Sequence, residues 1–243
     1  AVALKARREA PTLLAAPVTA SAFEGQALPV DTPGYVQEIH VQNLQVWAEE
    51  AGARVRVAAL PGTFLAPGDP LAWVRFDNPP NTEDWRASVA SCFAIGPDRV
   101  FDQDPRFGFV VLSEIAVRAL SPAVNDPGTA NKVIQTMIRL LDLWHRTPPA
   151  SPATIECDRI EVPELSIQGL FDDAFTSIGR DGAGMVEVAV MLQQGLFSLG
   201  RMGARDIAEA ADHHARMALS RSERALTLPD DLTAVRQAAN RQH

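Results

Sequence analysis

Hydrophobic positions follow helical spacing most clearly in two adjacent segments of the chain. Between residues 105 and 120 nearly every face of a helix is apolar, which predicts a buried helix. Pro122 ends this segment, because proline disfavours helical geometry in the residue before it. Asp126 and Pro127 then mark the start of a second helix, as N-cap and first helical residue, and its apolar stripe continues to Trp144. The pattern predicts a helix pair at the centre of a mainly helical region.

Helical spacing continues through most of the chain after residue 82. Residues 154–162 differ, because apolar and polar side chains alternate there as they do in an edge strand. Further helices are predicted at residues 83–93, 165–178, 185–199, 204–226 and 229–240.

Alternation with a period of two dominates the first third of the chain, and it is typical of strands. It predicts strands at residues 35–41, 54–60 and 71–74. A short helix is expected between the first two strands, with Asn43 as its N-cap and Gly52 as its stop.

The stretch 61–74 resembles the barrel-sandwich module of biotinyl and lipoyl carriers, in which a glycine-aspartate turn precedes a strand. Those carriers need a lysine for their swinging arm, and no lysine occurs between Lys5 and Lys132. The resemblance therefore implies a small β-rich module and excludes a carrier function.

Together these patterns predict an α+β fold with two domains. A β-rich, barrel-sandwich-like module is expected over residues 1–76. A mainly helical domain is expected over residues 82–243, with a short strand segment near 154–162. The linker between them is assigned to residues 77–81, where prolines and asparagines concentrate.

Composition narrows the possible partners. The chain has 243 residues and a formal net charge of -8, so nucleic acid and anionic membrane surfaces are not expected partners. The two cysteines form no CxxC pair, which argues against a zinc site or a disulfide framework. No stretch reaches the roughly 20 consecutive apolar residues that a membrane helix needs, and no signal peptide is visible.

The corner between the two central helices concentrates polar side chains, and it is the predicted site. Arg118 and the free amides that follow Asp126 are suited to an anionic ligand, because helix N-termini favour negative charge. The alternative is purely structural: Asp126 caps the second helix, Glu114 pairs with Arg118 one turn away, and Asn125 ties the turn together. The candidate ligand-binding residues are Arg106, Glu114, Arg118, Ser121, Asn125, Asp126 and Thr129.

The sequence offers no catalytic residue, metal site or cofactor motif that we would assign. Ser121 has no histidine near it in sequence and no nucleophile-elbow frame. Glu209 and His213 share a helix face but lack a third ligand. The acidic pair Asp172 and Asp173 is interpreted as helix capping, since calcium-loop spacing is absent.

Three segments, at residues 34–39, 61–71 and 103–130, resemble a bacterial family of predicted membrane proteins, domain of unknown function 2254. The specific part is Ala-Leu-Ser-Pro-Ala-Val-Asn-Asp-Pro, which begins directly after Arg118. The resemblance implies a block of membrane helices before this region, which would then be a soluble piece facing the cytoplasm from the bacterial inner membrane. The basic residues Lys5, Arg7 and Arg8 agree with a cytoplasmic membrane edge. The resemblance to this family implies no particular activity.

The function expected from the sequence is non-enzymatic: assembly, gating or small-ligand sensing for the membrane part. The expected partners are a second copy of the chain, most simply as a homodimer, the protein's own membrane segment, and a small anionic ligand. The competing hypothesis is a small-molecule hydrolase or transferase with its site at the corner between Arg118 and Thr129.

Overall fold

A computed structural model describes residues 15–18, 22–78, 80, 83–147 and 155–240, and it confirms the α+β class. The chain forms two compact units, one of residues 1–107 with 147–165 and one of residues 108–146 with 166–243. The strands of the described part are β1 (Ala15–Pro17), β2 (Gln26–Pro29), β3 (Gly34–Ile39), β4 (Ala53–Val57), β5 (Phe64–Leu65), β6 (Pro70–Phe76), β7 (Phe93–Gly96) and β8 (Cys157–Val162). Its helices are α1 (Val41–Glu50), α2 (Trp85–Ala90), α3 (Pro105–Leu120), α4 (Pro127–Arg146), α5 (Ile167–Asp181), α6 (Val186–Gly200), α7 (Arg205–Ala225) and α8 (Pro229–Ala239).

The first unit contains a five-stranded sheet in the order β1-β8-β4-β6-β2. β8 runs parallel to both of its neighbours, and Ile160 lies opposite Val55 of β4. The predicted strand at 154–162 is therefore present, but it lies inside the sheet and not at its edge. Ile160 and Val55 are fully buried, which is what an inner strand requires of its alternate side chains.

A second, three-stranded sheet in the same unit has the order β5-β3-β7. The predicted helix at 83–93 is wrong in its last part, because α2 ends at Ala90 and Phe93–Gly96 forms β7 against β3. Phe93 and Ile95 have the aromatic and β-branched side chains that favour strands. The pairing partner lies more than fifty residues earlier, so local spacing carried no sign of it.

Helix α1 packs on β4 and β8 of the five-stranded sheet, and Leu44 and Ala48 are fully buried on that face. The helix begins three residues earlier than predicted, with His40 and not Asn43 at the N-cap position. Gly52 follows its end with a φ of 57°, a left-handed conformation that glycine adopts at little cost.

The start of α3 is fixed by a buried ion pair in the first unit. Asp104 is 1% exposed, and its Oδ1 accepts a hydrogen bond from the Phe107 amide at 3.1 Å, as an N-cap does. Its Oδ2 lies 2.6 Å from Nη2 of Arg99. Burial raises the pKa of Asp104, and the hydrogen bond and charge of Arg99 oppose that rise.

The second unit is a helical cluster built around α6. This helix packs against α4, α7 and α8, and α5 packs against α7. Gly195 of α6 faces α4 so closely that a Cβ atom there would collide with Ile138. The largest buried side chains include Phe171 and Phe175 of α5, Ile134, Met137 and Leu141 of α4, and Leu192 and Leu196 of α6.

Helices α3 and α4 begin and end as the hydrophobic pattern predicts, but α3 is less buried than expected. Phe109, Ala116 and Leu120 are buried, whereas Ile115 is 46% exposed. Val110, Val111, Leu112 and Val117 are only partly buried. Part of the apolar surface of α3 is therefore open.

Candidate functional site

A groove between α3 and α5 lies entirely within the second unit and has a volume of about 1140 Å³. Half of the lining residues on its α3 wall are apolar, and its α5 wall is entirely polar. The residues that line it are Val110, Val111, Ser113, Glu114, Ile115, Val117, Arg118 and Ser121 from α3 and its C-terminal end, and Asp172, Asp173, Thr176 and Ser177 from α5. Three of the predicted site residues, Glu114, Arg118 and Ser121, are thus brought to the groove.

The corner after α3 is a closed backbone turn. The amide of Asn125 donates to the Ser121 carbonyl at 2.8 Å, and the amide of Asp126 donates to the Ala119 carbonyl at the same distance. Asn125 has a φ of 50°, a left-handed conformation that asparagine tolerates better than most residues. Asn125 therefore shapes the turn through its backbone.

Asp126 and Thr129 satisfy one another as a helix cap. The Thr129 amide donates to Oδ1 of Asp126 at 3.0 Å, and the Thr129 hydroxyl donates to Oδ2 at 2.6 Å. The hydrogen bond from the Thr129 hydroxyl lowers the pKa of Asp126 below its ordinary value, and the hydrogen bond from the Thr129 amide makes a smaller contribution in the same direction. Both carboxylate oxygens are occupied, and neither residue lines the groove.

Arg118 is the groove's guanidinium. No ion pair joins it to Glu114 in the part of the chain that the structure describes, although the two lie one turn apart on α3. The Ser121 hydroxyl donates to the backbone carbonyl of Arg118 at 2.7 Å. Arg106, the remaining candidate, lies in the first turn of α3 and falls in the first unit, about three helical turns before Arg118.

Asp172 is the polar residue that the sequence interpretation missed. It was taken for a capping residue together with Asp173, but Ser166 is the N-cap of α5: its hydroxyl oxygen accepts from the Gly169 amide at 3.1 Å. Oδ1 of Asp172 lies 3.0 Å from Nε2 of His214 and accepts from Nε2 of Gln168 at 3.1 Å. No sequence pattern joins Asp172 to His214, because the two lie on different helices and 42 residues apart.

His214 lies behind Asp172 and is 6% exposed. Its ring packs against those of Phe171 and Phe175, with centroids 6.0 and 6.4 Å away. Burial lowers the pKa of His214, and the charge and hydrogen bond of Asp172 oppose that effect. A neutral imidazole can donate its Nε2 proton to the carboxylate, and this contact fixes the orientation of Asp172.

Ser113 lines the groove although it is only 5% exposed. Its hydroxyl forms no hydrogen bond with any residue that the structure describes, unlike that of Ser198, which donates to a backbone carbonyl in the preceding turn at 2.9 Å. The hydroxyl can therefore donate to, or accept from, a molecule in the groove. Ser113 thus offers a hydroxyl to the groove beside the four apolar side chains of the same wall.

The described residues contain no metal cluster, and the hydroxyl–carboxylate contact between Thr129 and Asp126 is part of a helix cap. No group of three His, Cys, Asp or Glu side chains there could hold a metal ion. Glu209, considered above with His213, accepts from Nε of Arg205 at 2.8 Å on the exposed face of α7. The buried imidazole of His214 meets a carboxylate, and no described serine hydroxyl is hydrogen-bonded to it. The site as built can bind and orient a molecule.

Comparison with known proteins agrees with the motif around the corner. The family model for domain of unknown function 2254, described as a predicted membrane protein, matches residues 3–197. The chain belongs to this family. The matched range includes the corner, both walls of the groove and most of α6, and it excludes α7 with His214.

The chain is also similar to uncharacterised mycobacterial proteins. One from Mycobacterium tuberculosis (strain CDC 1551 / Oshkosh) and one from Mycobacterium bovis are each 33% identical over 113 residues, or 44% of this chain. The match spans only 22% of the length of these relatives. No solved structure matches the chain significantly. Among the described residues, no helix combines the length and the apolar character needed to cross a membrane.

Proposed function

We propose that this chain is the ligand-sensing part of a membrane protein and that the groove between α3 and α5 binds the ligand. The observation that carries the proposal is the groove of about 1140 Å³ with Ser113 among its lining residues. That volume is slightly larger than the roughly 300–1,000 Å³ typical of small-molecule sites. Four apolar side chains and several hydrogen-bonding ones line the groove, and small-molecule sites combine both kinds of contact.

The proposal also assigns the region to the cytoplasmic side of the bacterial inner membrane, beside membrane helices elsewhere in the protein. The family description supports membrane association. The basic residues near the start of the chain support the cytoplasmic side, because such residues are enriched on that side of membrane segments. Ligand occupancy of the groove would then act on the membrane part as a gating or assembly signal. Self-association as a homodimer belongs to the same proposal, and sedimentation equilibrium measures it directly.

A thermal-shift screen tests ligand binding in the groove. Purified protein is heated with nucleotides, phosphate compounds, organic anions and a series of eight-carbon amphiphiles. At least one compound is expected to raise the melting temperature, because a ligand that binds only the folded state stabilises it. Val117→Trp places a large ring at the groove wall and is expected to abolish that shift.

The matched control is Val46→Trp, since Val46 is an exposed valine on α1 in the first unit. A shift that survives Val117→Trp would place the ligand elsewhere. The absence of any shift across the whole panel would contradict the sensing proposal.

The alternative, a hydrolase or transferase at the corner, has less support. Ser121 donates its hydroxyl to a backbone carbonyl, and Asp126 is occupied by Thr129. Nucleophilic catalysis requires a hydroxyl or thiol within hydrogen-bond reach of an effective base. The Thr129 hydroxyl does reach Asp126, but the lowered pKa of this carboxylate makes it a weak base, and the contact serves as the cap of α4. A binding role uses the same side chains without that requirement.

A further inference from the structure

One carboxylate oxygen of Asp172 contacts neighbouring side chains, and the other does not. Its Oδ1 accepts a hydrogen bond from Nε2 of Gln168 at 3.1 Å and lies 3.0 Å from Nε2 of His214. Its Oδ2 accepts no hydrogen bond from any described residue. The side chain is 53% exposed and lines the groove. One carboxylate oxygen is therefore oriented by the protein and the other remains free to accept.

The support behind Asp172 is rigid. His214 is 6% exposed and packs between α5 and α7, the two helices that carry the pair. A surface aspartate without such support samples several rotamers and loses that freedom on binding. Fixing the carboxylate before the ligand arrives removes part of this cost, as supporting residues do in other binding sites.

The charges around the groove favour a cation. Three carboxylates line it, those of Glu114, Asp172 and Asp173, against the single guanidinium of Arg118. Asp173 has an interaction of its own within the protein, and the other charged lining residues, Glu114, Asp172 and Arg118, sum to a formal charge of -1. A free anion would be repelled by this balance, whereas an ammonium group at Oδ2 of Asp172 would form a charge-assisted hydrogen bond.

Ser113 gives independent evidence that the groove receives a polar group. The side chain is 95% buried by residue exposure, lines the groove and forms no hydrogen bond with any described residue. Beside it on α3, Val110 and Val117 present apolar surface to the same space. A molecule with an apolar body and a hydrogen-bonding head satisfies both features.

We propose that the ligand of the groove is an amphipathic amine, whose ammonium group binds Oδ2 of Asp172 while its apolar body lies along the valines of α3. This inference rests on the proposed ligand-sensing function and specifies its ligand class. Arg118 repels an ammonium group on the α3 side and so favours its position at the α5 wall, since like charges repel.

Isothermal titration calorimetry with three eight-carbon probes tests the ligand class. Octylammonium, octanol and octanoate share one apolar body and differ in head-group charge. Each is titrated into the full chain below its aggregation concentration. Octylammonium is expected to bind at least tenfold more tightly than octanol, and octanoate is expected to bind more weakly than either.

Asp172→Asn keeps the shape of the side chain and removes its charge, so it is expected to weaken octylammonium binding about tenfold or more and to leave octanol binding within about twofold. The control is Asp212→Asn, since Asp212 is an exposed aspartate on α7 outside the groove. The imidazole NMR signals of His214 in the Asp172→Asn protein report whether the fold around the pair is retained. If these signals show that the local fold is lost in the Asp172→Asn protein, Val117→Trp serves as the second variant and is expected to abolish octylammonium binding.

The outcomes separate the two proposals. Octanoate as the tightest probe, with binding lost in Arg118→Ala but not in Arg216→Ala, would keep the sensing function and overturn the cationic ligand. Octylammonium binding that is unchanged by Asp172→Asn would also overturn it. If none of the three probes binds and the wider screen is also negative, the proposed function itself fails.

Discussion

Helices α3 and α6 are both rich in apolar residues, but their surroundings in the fold differ. Both carry apolar side chains on most of their faces. α6 is packed by three other helices, and Leu192, Leu196 and Leu199 are at most 2% exposed. α3 leaves Ile115 46% exposed and forms one wall of a groove. Hydrophobic periodicity thus predicts that a helix has apolar faces, but not what covers each of them.

The difference between the helices also separates two uses of apolar surface. In α6 it stabilises the fold, because burial removes it from water. In α3 a part of it remains accessible beside Ser113 and Arg118, where it can contribute to binding. Substitutions in α6 should therefore change stability, and those on the open face of α3 should change ligand affinity.

Truncation of one apolar side chain in each helix tests this contrast most strongly. Leu192→Ala in α6 is expected to lower the free energy of unfolding by about 2–5 kcal/mol, because it leaves a cavity in a packed core. Ile115→Ala in α3 is expected to change it by about 0.5 kcal/mol or less, as for other exposed positions. Urea unfolding followed by circular dichroism measures both. Equal losses would mean that α3 is covered as fully as α6.

Glycine substitutions sharpen the same contrast. Gly195→Val in α6 should cost about 1–3 kcal/mol, because the added atoms meet Ile138 of α4. Gly108→Ala in α3 should stabilise the protein by about 0.5–1 kcal/mol, since a Cβ atom there has nothing within 4 Å and alanine favours the helix. Melting temperatures of the two variants should move in opposite directions. A fall for both would show that α3 is closely packed at Gly108.

The groove wall behind Asp172 should show its own pH dependence. The pKa of His214 is lowered from 6.5, so the unfolded chain binds more protons as the pH falls below that value, and the free energy of unfolding decreases. The charged and titratable neighbours are Asp172, which raises the pKa, and His213 and Arg221, which lower it. Asp172→Asn is expected to lower the pKa of His214 further, as followed by NMR titration of the imidazole protons. A pKa that rises or stays fixed would contradict the contact between the two side chains.

The smallest effect is expected at the cap of α4. Asp126→Ala should lower the melting temperature at neutral pH, because it removes both hydrogen bonds to Thr129. Since the pKa of Asp126 is lowered in the folded state, this stabilisation is present above its ordinary pKa of 3.8 and is lost as the pH falls through the folded value. Melting curves of the two proteins should therefore converge in acid. A constant difference at all pH values would show that the carboxylate charge has no part in the cap.

Local sequence signals account for the elements that were predicted well. Pro105, Pro122 and Asp126 fix the ends of α3 and α4 through backbone geometry and capping, and these act within a few residues. The place of β8 inside its sheet could not be predicted in this way. Its partner β4 lies about a hundred residues earlier, and alternation alone does not distinguish an inner strand from an edge strand.

The candidate site was predicted on one side only. Glu114, Arg118 and Ser121 lie close together in sequence, so the sequence alone predicted that they would lie near one another. The opposite wall comes from α5, and the imidazole that orients Asp172 comes from α7. A pair of acidic residues within a helix has no local mark that distinguishes it from a solvated surface, so only tertiary contact identifies Asp172.

Each of the two units is built from two separate stretches of the chain, and this affects how the protein folds during synthesis. Residues 1–107 contribute most of the first unit, but β8, which joins β1 to β4, is supplied only by residues 157–162. On the ribosome the five-stranded sheet therefore cannot close until α3 and α4 have already emerged. Helix α4 must in turn wait for α6, against which it packs. The apolar stripe of α4 therefore stays without its partner on the nascent chain until residues 186–200 have emerged.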